Sequence, residues 1–357
     1  MSISQNAKEL ADKPLPAPKR SETVVMGRAD FLSVVLRLVG VELYKFRRRA
    51  MSKVIAAIAL PILILTFLAL TAFSFIYIYA PVESYLPPRC TTTPIRESQP
   101  CLDHAPTQDD LARAAQVKNE AIQQGSILLR LPASLAVVSQ LLQSVGLIFS
   151  VIIAGTITGG EYSVGTIRLM FTRGPTRTQF LLSKIGAMLA CIGLSVILWM
   201  IAGTLLGMIL NLFVGAVLNF AFLTGIWIGH TILYLATLIL DLFLYAMLAL
   251  CLSMLGRSSA AGVAGALLWW ILEGILGPVF IYTGTVVKGV WGDILRAVPD
   301  YFIGANVSTL IQNQAQYVFD EQPGRLSDLH ALLVLAVYLV IFIGLACWVN
   351  QRRDVTN

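Results

Sequence analysis

Apolar residues gather into six long runs along this chain, at about 54–79, 133–158, 184–210, 222–255, 260–277 and 330–349, each closed by a polar or charged stretch. A run of about 20 apolar residues, wound as a helix, matches the hydrocarbon thickness of a bilayer. Strand-like alternation is missing. The runs therefore predict helices that satisfy their own backbone in lipid, not the strands of a barrel. The fold class read from this pattern is an all-α integral membrane protein with six transmembrane helices. Pro61 predicts a kink near the start of the first span. The fourth run exceeds what a bilayer needs, which predicts a helix that is tilted, bent or projecting. Gly277-Pro278 predicts a broken span five, with the apolar Val279–Ile281 beyond it able to re-enter.

The segments around the runs differ in character. Residues 1–29 are rich in Lys, Ala, Pro and Ser without a period, which predicts a disordered cytoplasmic tail. They hold no apolar core of the kind a cleaved signal needs. Residues 30–357 then form a single transmembrane domain. Phe31, Val34, Val35 and Leu38 mix with Arg37, Lys45 and Arg47-Arg48-Arg49, and Arg37, Lys45 and Arg48 share a sector of roughly 80° on a helix. The pattern predicts an N-terminal amphipathic helix in the membrane interface, or more simply a basic flank that orients the first span. Outer loops are expected at about 80–132 and 285–329. The first is proline-rich and then predicts a helix over 108–124. In the second, Trp291, Tyr301 and Phe302 predict an interfacial helix.

Charge sharpens this picture. Only 13% of the 357 residues are charged and 57% are hydrophobic, against about 25% charged in a soluble domain. Of the 26 Lys and Arg, 18 fall in segments on one side of the predicted topology and 8 in the two outer loops. That split is the positive-inside pattern of a multi-pass protein of the cytoplasmic membrane with both termini cytoplasmic. It is no footprint for nucleic acid, although the net charge is +6. Cys191, Cys251 and Cys347 lie in apolar runs and read as packing residues. Cys90 and Cys101 share the first outer loop and are candidates for a disulfide in an oxidising exterior.

Between spans two and three lies one polar and basic island, Gly160-Glu161-Tyr162-Ser163-Val164-Gly165-Thr166-Ile167-Arg168, continuing through Arg173, Pro175 and Arg177 to Lys184. Glu161 sits where one helix ends and a short one can start, so its carboxylate can serve a helix N-terminus. Gly165-Thr166 leaves a small surface suited to close approach by another protein. On charge alone, Arg168, Arg173, Arg177 and Lys184 mark a loop that fixes topology. The glycine spacing is that of a phosphate-binding loop, but Thr166 stands where a lysine must reach the phosphates and no strand precedes it. Nucleotide binding by this chain is rejected.

The pattern Glu161-x-x-x-Gly165-Thr166-x-Arg168, then Pro175-x-Arg177 and Lys184 opening an apolar span, resembles the signature of ABC-2 type permeases, the membrane subunits of ATP-binding-cassette transporters. The resemblance extends over the whole chain, from the basic interfacial helix to the broken span five. It implies a cytoplasmic coupling segment that touches a separate ATPase subunit through Glu161, Tyr162, Gly165, Thr166 and Arg168. It also implies export, two ATPase copies carrying the ATP and Mg, a second permease subunit, identical or homologous, and neither catalytic residue nor cofactor in this chain. The long first outer loop departs from smaller members of that family, and the resemblance implies nothing about its role.

Two acids interrupt the apolar runs: Asp241 in span four and Glu273 in span five. An intramembrane carboxylate is costly and is by default a candidate for the substrate path or a gate. The plain alternative is a carboxyl kept protonated or hydrogen-bonded to a neighbouring span. Glu273, just before Gly277-Pro278, is the better placed of the two. The same acids serve two rival readings, a membrane-embedded lipid-modifying enzyme and a proton-coupled secondary transporter. The sequence offers the first no polar cluster at one depth and the second no inverted repeat. Gly155/Gly159 and Gly203/Gly207 have the spacing of close helix contacts. His104, His230 and His330 are too scattered for a metal site, and Asn306-Val307-Ser308 matches a glycosylation acceptor by pattern.

Overall fold

The computed structural model describes residues 31–88, 101–102, 104–164, 176–215, 217 and 219–352, with the side chains at 161–164 and 352 outside that description. The predicted tail at 1–29, Cys90, Gly165, Thr166 and Arg168 lie outside the described residues. The elements are helices: α1 (Phe31–Arg48), α2 (Ala50–Tyr79), α3 (Gln108–Gly125), α4 (Ala133–Leu141), α5 (Leu147–Val164), α6 (Arg177–Val214), α7 (Gly225–Gly256), α8 (Ser259–Val286), α9 (Val290–Ala297), α10 (Ile303–Phe319) and α11 (Asp328–Arg352). A π-helical turn, Leu142–Gly146, joins α4 to α5.

Six stretches are long and apolar enough to cross a membrane: Ala50–Tyr79, Ala133–Gly160, Arg177–Val214, Gly225–Gly256, Ser259–Val286 and Asp328–Gln351. This is the architecture of a multi-pass membrane protein. Their outward faces keep large apolar side chains exposed, among them Leu65, Ile76, Leu194, Leu198 and Val340. In water such a surface would drive aggregation; against lipid it needs no cover.

The bundle is built around α7, on which α5, α6, α8, α10 and α11 all pack. Since lipid tails are as apolar as leucine, close packing, not hydrophobic burial, holds such helices together. Glycine supplies the closeness. A Cβ at Gly159 would sit 2.3 Å from the Ser259 nitrogen, and one at Gly203 would sit 2.2 Å from a Val138 methyl. At Gly207 it would meet the Phe67 ring at 2.8 Å and the Leu129 carbonyl at 2.9 Å. Both small-xxx-small pairs are thus contact points between spans.

At its start, α1 breaks from α2 at Arg49, whose backbone is extended, and α1 packs along α6. Its Glu42 is buried and paired with Lys45 at 2.8 Å, while Phe31, Leu32, Leu36 and Tyr44 stay exposed. Helix α3 begins with a reciprocal cap between Thr107 and Asp110 and ends against α2, where the Ser74 hydroxyl donates to the Gly125 carbonyl at 3.0 Å.

Two expectations are corrected. Span five is not broken: α8 runs unbroken from Ser259 to Val286 with Pro278 inside it. A proline inside a helix forfeits one hydrogen bond, to the carbonyl four residues back, and an apolar setting gives the remaining backbone no better partner than the helix. Arg177 and Lys184 are not loop cations either, because α6 already starts at Arg177. Lys184 is buried, donating to the Ile157 carbonyl at 3.2 Å and standing 4.7 Å over the Phe180 ring. Arg177 donates to the carbonyls of Asn350 at 3.2 Å and Gln351 at 3.1 Å, tying α6 to the end of α11.

The segment 285–329, expected as an outer loop with an interfacial helix, is a pair of helices joined by a tight turn. After Gly289, at φ 80°, α9 folds back along α8, and Gly284 meets Gly292 with no room for a Cβ on either. A 3-10 turn, Val298–Tyr301, reverses the chain, and α10 packs between α7 and α11. The hairpin therefore reaches the middle of α8 instead of lying across its end.

Candidate functional site: a polar cavity beside Asp241

The tip of that hairpin is held by Glu273. Helix α10 has no side-chain cap of its own at Phe302, so its first amides need an acceptor from elsewhere. Glu273, at the middle of α8, supplies one: Ile303 N–H donates to Oε1 at 2.9 Å and Gly304 N–H to Oε2 at 3.0 Å. A carboxylate there also meets the positive end of the helix dipole. The Tyr245 hydroxyl donates to Oε2 at 2.7 Å and the Trp269 indole N–H to Oε1 at 2.9 Å. Both carboxylate oxygens are thus fully engaged, and a Cβ at residue 304 would lie 3.2 Å from both Glu273 and Tyr245.

Asp241 is one helical turn from Tyr245 on the same face of α7. It is 5% exposed. Among the described residues its carboxylate has no hydrogen-bond or ion-pair partner. It lines a cavity of about 440 Å³. One wall is α4 with the π turn, through Ser139, Gln140, Gln143 and Ser144; another is α7, through Tyr234, Asp241 and Tyr245. The third is α10, through Gly304, Ser308 and Gln312, with Trp270 of α8 beside them. Tyr234 is oriented by its hydroxyl bond to Ser139. The wide turn at Leu142–Gly146 places Gln143 and Ser144 in the cavity wall, and such turns recur at functional sites.

The two acids singled out from sequence therefore come together but differ in kind. Glu273 is a structural anchor, and Asp241 faces open space. Trp269, Tyr245 and the α10 amides escaped the sequence reading because nothing local marks them. Of the expected ATPase contacts, Glu161 and Tyr162 fall in the last turn of α5; Gly165, Thr166 and Arg168 lie outside the described residues. Cys101 is disulfide-bonded, and Cys90 lies outside the described residues. Among the described residues no three His, Cys, Asp or Glu gather as a metal site. Asn306 is buried, its amide donating to the carbonyls of Asp300 and Phe302 at 2.8 Å, so the acceptor pattern there marks a packed residue.

Comparison with known proteins gives two matches. The family described as "Protein of unknown function (DUF2705)" matches residues 131–356, a range that takes in five of the six spans and both acids. The "Uncharacterized protein YhcI" of Bacillus subtilis (strain 168) is 30% identical over 223 residues, 59% of this chain. The chain spans 64% of that relative's length. No solved structure matches.

Proposed function

The chain belongs to the DUF2705 family, and from that premise we propose that it is the permease subunit of an ATP-binding-cassette transporter, exporting a substrate across the cytoplasmic membrane with both termini in the cytoplasm. The observation that carries the transport reading is the polar cavity at the heart of six membrane-length helices, with the buried Asp241 carboxylate open to it. Such a cavity has no use in a membrane anchor, whose core gains stability from apolar packing. The ATPase part of the reading is supported by the island at 160–184 and its resemblance to ABC-2 type permeases. Two ATPase copies dock against Glu161, Tyr162, Gly165, Thr166 and Arg168. ATP binding closes them and biases the bundle between inward-facing and outward-facing states. A second permease subunit covers α8, of whose apolar window only 11% is buried, the least of the six.

The test is purification of the tagged chain from its native membrane. A stoichiometric ATP-binding subunit that is lost in the Glu161→Ala, Arg168→Ala double variant supports both the partner and the contact residues. An ATPase that stays bound in the variant removes those residues from the interface. Repeated recovery without any ATPase overturns the ATP-driven reading and leaves Asp241 as the residue of a transporter driven in another way.

A further inference from the structure

We infer that the Asp241 cavity is a binding site for an organic monocation with N–H donors, an ammonium group on an apolar body, and that Asp241 is its counter-ion. This deepens the permease reading and rests on it for the route the ligand takes. The first support is the carboxylate itself: 5% exposed and unpartnered among the described residues. A buried charge without a partner costs several kcal/mol and is retained in membrane helices where it meets something that binds.

The size and walls of the cavity name the class. About 440 Å³ lies within the range of small-molecule sites, roughly 300–1,000 Å³, and far exceeds what one inorganic ion fills. A divalent metal needs several oxygen ligands around it. Glu321 also lines the cavity, but among the described residues no three His, Cys, Asp or Glu gather as a metal site, and the nearby Glu273 already accepts from four donors. Gln140 and Gln312 line the opening, and among the described residues neither side-chain amide has a partner. Their carbonyl oxygens complement the N–H groups of an ammonium. Tyr234 and Trp270 also line the cavity, aromatic residues of the kind that cations and apolar bodies both favour.

The rim argues for access from water. Gln140, Ser308 and Gln312 are exposed on membrane-length or bundle-packed helices. Set against lipid tails such groups are costly; at the mouth of a hydrated path they are not.

The experiment is equilibrium binding of radiolabelled 2-phenylethylammonium to the full-length protein in nanodiscs, with any copurified ATPase left in place. Competitors are 2-phenylethanol, the neutral match, and K⁺. The expected result is saturable binding that neither competitor displaces and that weakens at least tenfold in Asp241→Asn. Gln312→Lys, which sets a cation at the exposed rim without touching the core, should weaken binding similarly, so the test survives if the Asp241 variant does not fold. Unchanged binding in both variants, displacement by 2-phenylethanol or K⁺, or no saturable binding overturns the inference. Asp241-dependent binding in a chain that never recovers an ATPase upholds the site while the ATP-driven reading fails.

Discussion

At the scale of single residues, Glu273 and Asp241 should respond oppositely to the same change. Glu273→Gln keeps the volume but turns an acceptor oxygen into an NH₂ group facing a donor. A hydrogen bond to a charged group contributes about 1.5–3 kcal/mol, and a loss of that order is expected, seen as faster amide exchange at Ile303 and Gly304 and a lower melting temperature. Asp241→Asn removes an unpartnered buried carboxyl group and breaks no hydrogen bond, so its melting temperature should stay level or rise. A third residue gives a pH signature. The Thr107 hydroxyl donates to Asp110 Oδ2 at 2.6 Å and the Thr107 N–H at 3.0 Å, and these bonds hold the Asp110 carboxyl below its ordinary 3.8. Its support of α3 is therefore complete above pH 3.8 and is lost as pH falls through the lowered value. Carboxyl NMR of Asp110, followed against pH, should show that lowered midpoint, and Thr107→Ala should bring it back up. The sequence marks both membrane acids as costly. It cannot assign their roles, because the groups that separate them include amides 30 and 31 positions away.

Among the elements, the spans were legible and the departures from plain helix were not. Runs of apolar residues place all six, because the thickness of a bilayer fixes their length. The glycine pairs were legible as contacts, and they make a sharp prediction. Gly159→Val pushes a side chain into the Ser259 backbone, with no flexible partner to yield, and should destabilise the α5–α8 contact by about 1–3 kcal/mol, read as a lower melting temperature in detergent. The π turn at Leu142–Gly146 leaves no local mark, since its residues suit an α-helix as well. The α9–α10 hairpin is hidden for another reason. Polar groups such as the Asn306 amide N–H and the Gln314 carbonyl oxygen find partners inside the bundle, the first in the Asp300 carbonyl and the second in His230 at 2.8 Å, whereas from sequence they read as solvent-facing. Pro278 misleads in the opposite sense: Pro278→Ala should leave the helicity of α8 and the melting temperature nearly unchanged, since the helix already runs through that site.

For the whole molecule, the arrangement sets a central helix, α7, inside a ring of partners while α8 stands at the edge, its Glu273 turned inward to α10. A helix that borrows its first acceptor from a neighbour cannot shift on its own. Either α8 carries the start of α10 with it, or the bonds at Glu273 open together, and packed joints of that kind have discrete settings instead of a smooth range. Tyr245 belongs to this latch and also to the wall of the cavity. A slide of α8, were one to occur, would therefore pull on Tyr245 through Glu273 and so alter the cavity wall one turn from Asp241.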